Sequence, residues 1–490
     1  MIRLFLCPLQ FQCLLQSLVF YLVRIVMRML GLMILVVCSA QAEDALYSDE
    51  FLQKVATLRD HALEHPLAYE LTESLTTEVG PRLAGSPGDA KAVAWGVEKF
   101  KALGFDRVTT EPVTFTRWTR GEETAKVVAP FNQPLAITAL GRTVPTPAEG
   151  ITAEVVHFAT LADLEAADPA TVKGKITFIS NRMERHQDGS GYGKAVGARG
   201  TTAQVTAAKG GVAAIIRSIG TDDNRTPHTG AAKYDANIPS VPAGAVSNPD
   251  ADLLVNMIKR QQPVKVHLTL TSHWDGQYTT QNVIGDMLGS EQQDQFIVIG
   301  CHLDSWDLGT GAIDDASGCG ITMAAAKLIK EHLGPLRKTI RVVLWANEEY
   351  GLSGALAYHE QHKDNLSNHI LGGESDFGAG RIYGLGTRVA ESAMPLVKQM
   401  LPLLKPLGIE YINNQSSSGA DLIPLRKAGM AVFGLKQDGT KYFDYHHTAN
   451  DTLDKVDPEE LAQNVAAWVV VTALAAQTDQ DFGFGLTDPE

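Results

Sequence analysis

From residue 281 onward the apolar positions alternate between two textures. NVIGDMLG (282–289), FIVIGCHL (296–303) and TIRVVLWAN (339–347) are short, nearly unbroken runs of aliphatic residues. Such runs predict strands buried on both faces. SGCGITMAAAKLIKEHL (317–333), AMPLVKQMLPLL (393–404) and PEELAQNVAAWVVVTALAAQ (458–477) instead place apolar residues at three- and four-residue spacing, which predicts helices. HILGGESDFG (369–378) and MAVFGLK (430–436) add two strands. Strands alternating with helices predict an α/β fold with a mostly parallel central sheet covered on both faces.

Upstream the pattern differs. FLQKVATLRDHALE (51–64) and DAKAVAWGVEKFKALG (89–104) predict helices around a Gly/Pro loop, VGPRLAGSPG (79–88), and VTTEPVTF (108–115) predicts a strand. From about 118 to 275 short strands, prolines and glycines dominate: GITAEVVHF (150–158), GKITFIS (174–180), AAKGGVAAIIRS (207–218) and IPSVPAGAVS (238–247). A helix, DADLLVNMIKR (250–260), and a strand, VKVHLTL (264–270), follow. This stretch predicts an inserted domain with a small β-rich core. Within it SGYGKAVGARG (190–200) lacks the GK[ST] ending of a phosphate loop and reads as a flexible surface loop.

The first 42 residues stand apart. MLGLMILVVCSAQA (29–42) follows Arg28, ends in Ala-Gln-Ala, and gives way at once to Glu43 and Asp44. That is the layout of an export signal cut after Ala42, with the part before Met27 as an upstream extension. A membrane anchor over Leu4–Val23 is the alternative. Secretion or delivery to a periplasm is expected. The resulting division is a signal peptide (1–42), a first catalytic part (43–117), the insert (118–275) and a second catalytic part (276–490).

Composition narrows the function classes. The formal net charge is −14, and it becomes −17 once the leader, with three arginines and no acids, is removed. Neither value suits binding to nucleic acid or to an anionic membrane. Cys7, Cys13 and Cys38 fall in the leader, leaving Cys301 and Cys319. Those two read as small buried thiols, with a bond between them left open.

The candidate chemistry lies where strands end, the place where open α/β sheets bind ligands. His302 and Asp304 follow the 296–301 strand. Asp314 and Asp315 lie in the next loop, Glu348 and Glu349 follow the 339–346 strand, Asp376 follows 369–373, and His447 sits in the late loop DYHHTAND. Histidine and carboxylate are zinc ligands, and a pair of ions needs a bridging carboxylate, two private ligands for each ion and a free carboxylate as base. The residue types suffice for that, but spacing alone does not say which acid does what.

HLDSWDLGTGAIDDASG (302–318), ANEEYGLSG (346–354), ESDFG (374–378) and HTANDT (447–452), in that order, resemble the M28 zinc peptidases. The resemblance continues through VGPRLAGS (79–86), RGEE (120–123), PAEGITAEV (147–155), PHTG (227–230) and KYFDYHHTANDT (441–452). It implies a three-layer α/β sandwich with a protease-associated insert. It also implies two zinc ions per chain: His302 and Asp376 on one, Glu349 and His447 on the other, and Asp314 bridging them through a cis peptide with Asp315. Glu348 would be the general base and Asp304 would orient the His302 ring. His446 and Asp421 are weaker candidates for substrate contacts. The implied activity is exopeptidase cleavage of short peptides, dipeptides in particular, by a homodimer.

Blander readings exist for each residue taken singly. Asp314-Asp315 suits a turn and helix cap, Glu348-Glu349 a solvated helix start, and Asp421 a helix N-cap. The remaining histidines, His228 among them, read as structural. Rival activities on the same fold are a single-zinc glutaminyl cyclase, a non-catalytic receptor-like relative and an N-deacylating amidohydrolase.

Overall fold

The computed structural model describes residues 46–486 except 234 and 236. The expected export signal lies outside the described residues. The chain divides into two compact units, residues 1–52 and 53–490. Of the first, residues 46–52 are described, a bend leading into the helix Asp49–Ala62. The rest of the description concerns the second unit.

Two eight-stranded sheets organise it. The first runs, in spatial order, Arg107–Thr119, His273–Met287, Lys338–Trp345, Gln292–His302, His369–Glu374, Val432–Gln437, Ile382–Arg388 and Glu410–Asn413. Its middle is parallel: Gln292–His302 pairs in parallel with both Lys338–Trp345 and His369–Glu374, which in turn pairs in parallel with Val432–Gln437. Towards the margins the pairing includes antiparallel strands, at Lys338–Trp345 with His273–Met287 and at Val432–Gln437 with Ile382–Arg388. Four of the seven pairings are parallel, the outermost one, Ile382–Arg388 with Glu410–Asn413, included, because each of these strand pairs is joined by a crossover rather than a hairpin. All eight residues of Lys338–Trp345 are buried, as the unbroken apolar run requires.

The helices Ser317–Leu333 and Pro458–Gln477 pack against each other and against this sheet. The second is apolar nearly all round and buried from Leu461 to Ala476. Its start is fixed by Pro458 at the first helical position and by Asp457, whose carboxylate accepts from the Glu459 and Glu460 N–H groups. Cys301, in the strand Gln292–His302, and Cys319, in the first turn of Ser317–Leu333, are joined by a disulfide with their Cα atoms 5.1 Å apart. The expectation of two separate thiols is corrected: strand end and helix start lie side by side.

The second sheet is built entirely from strands between Glu123 and Leu270. It hangs between Arg107–Thr119 and His273–Met287, a long antiparallel pair that ends the first sheet. Its apolar core, with Val127, Ile176, Phe178 and Leu268, continues into Trp306 and Tyr350, on loops at the strand ends of the first sheet. The stretch 190–200, expected as a loop, is the first half of the helix Ser190–Ala208. Ala195, Ala198, Arg199, Thr202, Ala203 and Thr206 are buried at helical spacing, and that face outweighs the glycines. Gly191 has a separate role: an added Cβ would lie 2.0 Å from the Glu184 carbonyl oxygen. Among the described residues no helix is long and apolar enough to cross a membrane.

Candidate metal centre

The carboxyl ends of the parallel strands converge as the sequence suggests. His302 is the last residue of Gln292–His302, Glu348 and Glu349 follow Lys338–Trp345, and Asp376 lies two residues past His369–Glu374. Asp314 arrives on the loop before Ser317–Leu333 and His447 on the loop before Pro458–Gln477. Five of the expected side chains meet. Asp314 Oδ1 lies 2.9 Å from His302 Nε2, and Asp314 Oδ2 lies 3.2 Å from His447 Nε2. His302 Nε2 is 3.4 Å from Asp376 Oδ1, and His447 Nε2 is 3.1 Å from Glu349 Oε2. One carboxylate thus presents one oxygen to each histidine, and each histidine has a second acid of its own.

These spacings fit metal ligands. Bonds of about 2.0–2.1 Å in tetrahedral array put ligand atoms about 3.3 Å apart. Within the centre His302, Asp314 and Glu349 can converge on one ion, as can His302, Asp315 and Asp376, or Asp314, His446 and His447. A small pocket of about 10 Å³ lies against Asp314, Glu349, His447 and Trp306.

The electrostatics point the same way. Burial and the neighbouring Asp376 push the Glu348 carboxyl well above the ordinary range. Burial and Asp314 do the same to Glu349. Burial opposes charge on His302, yet the surrounding carboxylates, Asp376 foremost, raise its pKa well above the usual value. His447 goes the other way: burial, opposed by Asp314, lowers it to about 4. The ring holds more carboxylates than its histidines can neutralise, a charge imbalance that a bound cation would offset. Asp314 and Asp315 are joined by a cis peptide.

Glu348 belongs to none of the converging ligand sets and is partly exposed, so its carboxyl is free to meet a substrate. Asp304 does something other than expected. The His302 Nδ1–H donates to the Asp304 backbone carbonyl at 2.9 Å, while the Asp304 carboxylate stands 3.9 Å from that nitrogen. The carboxylate instead accepts from the Glu348 and Glu349 N–H groups at 3.0 and 3.4 Å. It therefore fixes the turn that carries Glu348 and Glu349. His446 stacks on His447 with ring centroids 3.5 Å apart and reaches within 3.7 Å of Asp314 Oδ2. Burial and the adjacent His447 hold it well below the usual histidine range. Asp421 is wholly buried and is not a helix cap, since the helix Ile423–Lys427 starts behind Leu422. Its N–H donates to Glu374 Oε2 at 2.9 Å, and both its carboxyl oxygens lack a hydrogen-bond donor.

Several supports escaped sequence reasoning. The fully buried Arg82 guanidinium donates to the carbonyls of Leu303, Thr310 and Gly311, bracing the loop between His302 and Asp314. Asp451 accepts from the Ala312 and Ile313 N–H groups, both at 2.7 Å, and so sets the approach to Asp314. From the second-sheet region His228, taken as structural, bridges the His446 carbonyl and Asp222 Oδ1, both at 2.7 Å. The next residue, Thr229, donates its N–H to the His447 carbonyl at 3.0 Å. Their signal was the quoted motifs VGPRLAGS, HTANDT and PHTG, whose polar residues had no role assigned. Beside the centre a cavity of about 670 Å³ is lined by Ile313, Phe377, Tyr442 and Tyr445, close neighbours of the ligands in sequence.

Residues 282–472, which include all five candidate ligands, match the model of Peptidase family M28. Carboxypeptidase Q of Xenopus laevis is 32% identical over 90% of this chain and 92% of that protein. Carboxypeptidase Q of Homo sapiens is 33% identical over 84% and 86%. The crystal structure of a peptidase M28 precursor from Shewanella amazonensis superposes with a TM-score of 0.88 at 47% identity, covering 90% of this chain and all of that one. With the ligand motifs, the sheet ends and the full-length relatives in agreement, the chain belongs to peptidase family M28.

Proposed function

We propose that the protein is a dizinc exopeptidase that cleaves short peptides, dipeptides above all, in the periplasm or outside the cell. The observation that carries this reading is the placement of Asp314, one oxygen towards His302 and the other towards His447. His302 and Asp376 would hold one ion, Glu349 and His447 the other. When bound, the ions supply Lewis acidity, which brings the pKa of water towards neutrality and polarises the scissile carbonyl.

The protein's own groups do the rest. Glu348 takes a proton from the attacking water and returns it to the leaving amine. Its raised affinity for protons, from burial and Asp376, suits both halves of that task once the ions draw it back towards neutrality. Asp304 keeps the Glu348–Glu349 backbone in place. His446, neutral and stacked on His447, offers a polar group to the developing oxyanion. Residues 118–275, read as a protease-associated insert, hold the His446–His447 loop and wall the site.

A dipeptide-library assay on zinc-loaded protein tests the proposal, with chelated protein as control. Activity should depend on about two zinc ions per chain. Glu348→Gln should lower kcat by roughly 10²- to 10⁴-fold with zinc content unchanged. Full activity at one zinc per chain, or in the Glu348→Gln protein, would overturn it.

A further inference from the structure

We propose that Arg199, with Tyr192 beside it, anchors a free carboxylate of the peptide, so that the residue released on the amine side of the cut bond is the chain's last. The inference rests on the peptidase reading above and names its substrate class.

Arg199 is only 9% exposed, and among the described residues no carboxylate pairs with it. Its Nη2 donates to the Tyr192 hydroxyl, its ring-facing carbon lies 5.3 Å from the Tyr192 centroid, and its Nε has no partner. Its remaining contact is weak: Nη1 lies 3.5 Å from His447 Nδ1, the limit of a hydrogen bond. That nitrogen also lies 3.3 Å from the Thr229 carbonyl. With Nε2 turned to a metal, Nδ1 carries the hydrogen and gives it to Thr229, leaving nothing there for a guanidinium to donate to.

Four other buried guanidiniums are satisfied. Arg82 meets a set of carbonyls, Arg120 meets Asp307 and Glu123, Arg217 meets Asp252 and two carbonyls, and Arg341 meets Asp286 and Tyr358. A buried cation with no carboxylate partner is costly, and a guanidinium with N–H groups to spare is shaped for a carboxylate.

The surroundings make room for it. Gly230 sits at φ 129°, where a Cβ would come within 2.3 Å of Arg199 Nη1, so only glycine admits the guanidinium. Tyr192 stands edge-on to His446, with centroids 5.4 Å apart, at the metal centre. Tyr192 and Arg199, seven residues apart, share one face of the helix Ser190–Ala208.

The test compares alanyl-alanine with its C-terminal amide. Wild-type enzyme should favour the free acid in kcat/KM by about 100-fold, the scale of losing one partner of a buried charge pair. Arg199→Met should abolish that preference by raising KM for the acid while leaving the amide within a few-fold. Arg199→Lys should restore part of it, and Tyr192→Phe should lower it about tenfold or less. Calorimetry supplies a readout without turnover: in zinc-loaded Glu348→Gln protein, alanyl-alanine should bind more tightly than its amide, and Arg199→Met should erase the difference. Equal use of acid and amide by the wild type overturns the anchor, as does an Arg199→Met protein that loses both alike. If no peptide is cleaved but binding still follows the carboxylate and Arg199, the anchor stands and the peptidase reading falls.

Discussion

His447, a proposed zinc ligand, holds a backbone conformation that needs support. Its φ is 61°, in the left-handed region, which costs a non-glycine residue about 1–2 kcal/mol. Two contacts from the second-sheet region hold it there: the Thr229 N–H on the His447 carbonyl, and the His228 ring on the His446 carbonyl at 2.7 Å. Replacing His228 with alanine leaves a buried carbonyl without a donor, a cost of about 1–3 kcal/mol. Asp222 loses its partner too, although it keeps the Asn224 N–H at 2.8 Å. That loss equals or exceeds the margin holding the strained turn, so the turn relaxes and Nε2 leaves its position. Residues that orient metal ligands typically govern affinity by about 10- to 100-fold, equivalent to about 1.4–2.8 kcal/mol. His228→Ala should therefore weaken one zinc site by that factor and spare the other. His228→Gln, which can reach only one of the two partners, should fall between. Competition with a chromophoric chelator measures both affinities, and thermal unfolding of metal-free protein gives the structural cost separately. Unchanged zinc affinities in a His228→Ala protein with a lower melting temperature would refute the argument.

The Cys301–Cys319 bond spans 18 residues, so Cys301→Ser with Cys319→Ser should cost about 3 kcal/mol in urea unfolding. A midpoint equal to that of the oxidised wild type would contradict this. Burial, with Asp314 nearby, raises Asp451 from 3.8 to about 7. In metal-free protein the folded state then holds that proton more tightly than the unfolded chain. Its contribution is complete below about pH 4 and is lost as pH rises to about 7, with a slope of up to about 1.4 kcal/mol per pH unit. Asp451→Asn should flatten the stability curve across that window, and parallel curves for the two proteins would exclude the effect. Gly230→Ala should displace the Arg199 guanidinium and lower the preference for free acid over amide, read as a ratio of kcat/KM values. An unchanged ratio would show that Arg199 does not depend on that gap.

Part of the proposed centre was legible because its residues follow an apolar run, and a buried parallel strand delivers its end to one side of the sheet. His302, Glu348, Glu349 and Asp376 needed only that rule to be placed together. Asp314 and His447 lie on loops, and for them the order of the motifs had to stand in for geometry. One sheet margin was not legible: Ile382–Arg388 carries two glycines and Glu410–Asn413 has four residues, too little for a period to show. Nor was the helix over 190–200, since glycine punctuates sequence but does not veto a helix whose other face is buried.

What stayed hidden was the second sheet's grip on the centre, and the reason is chemical. Ligands act through side chains, whose type the sequence displays. His228 and Thr229 act largely on the carbonyls of His446 and His447, and every residue owns a carbonyl. Arg199 and Gly230 are a parallel case, in which one residue matters for its charge and the other for lacking a side chain. Three of these four residues fall in 227–230, and that short loop couples the two sheets at the turn where His447 itself is left-handed. A change in how the second sheet packs should therefore reach catalysis through His447 and the carboxylate anchor before it reaches His302, which the first sheet holds by itself.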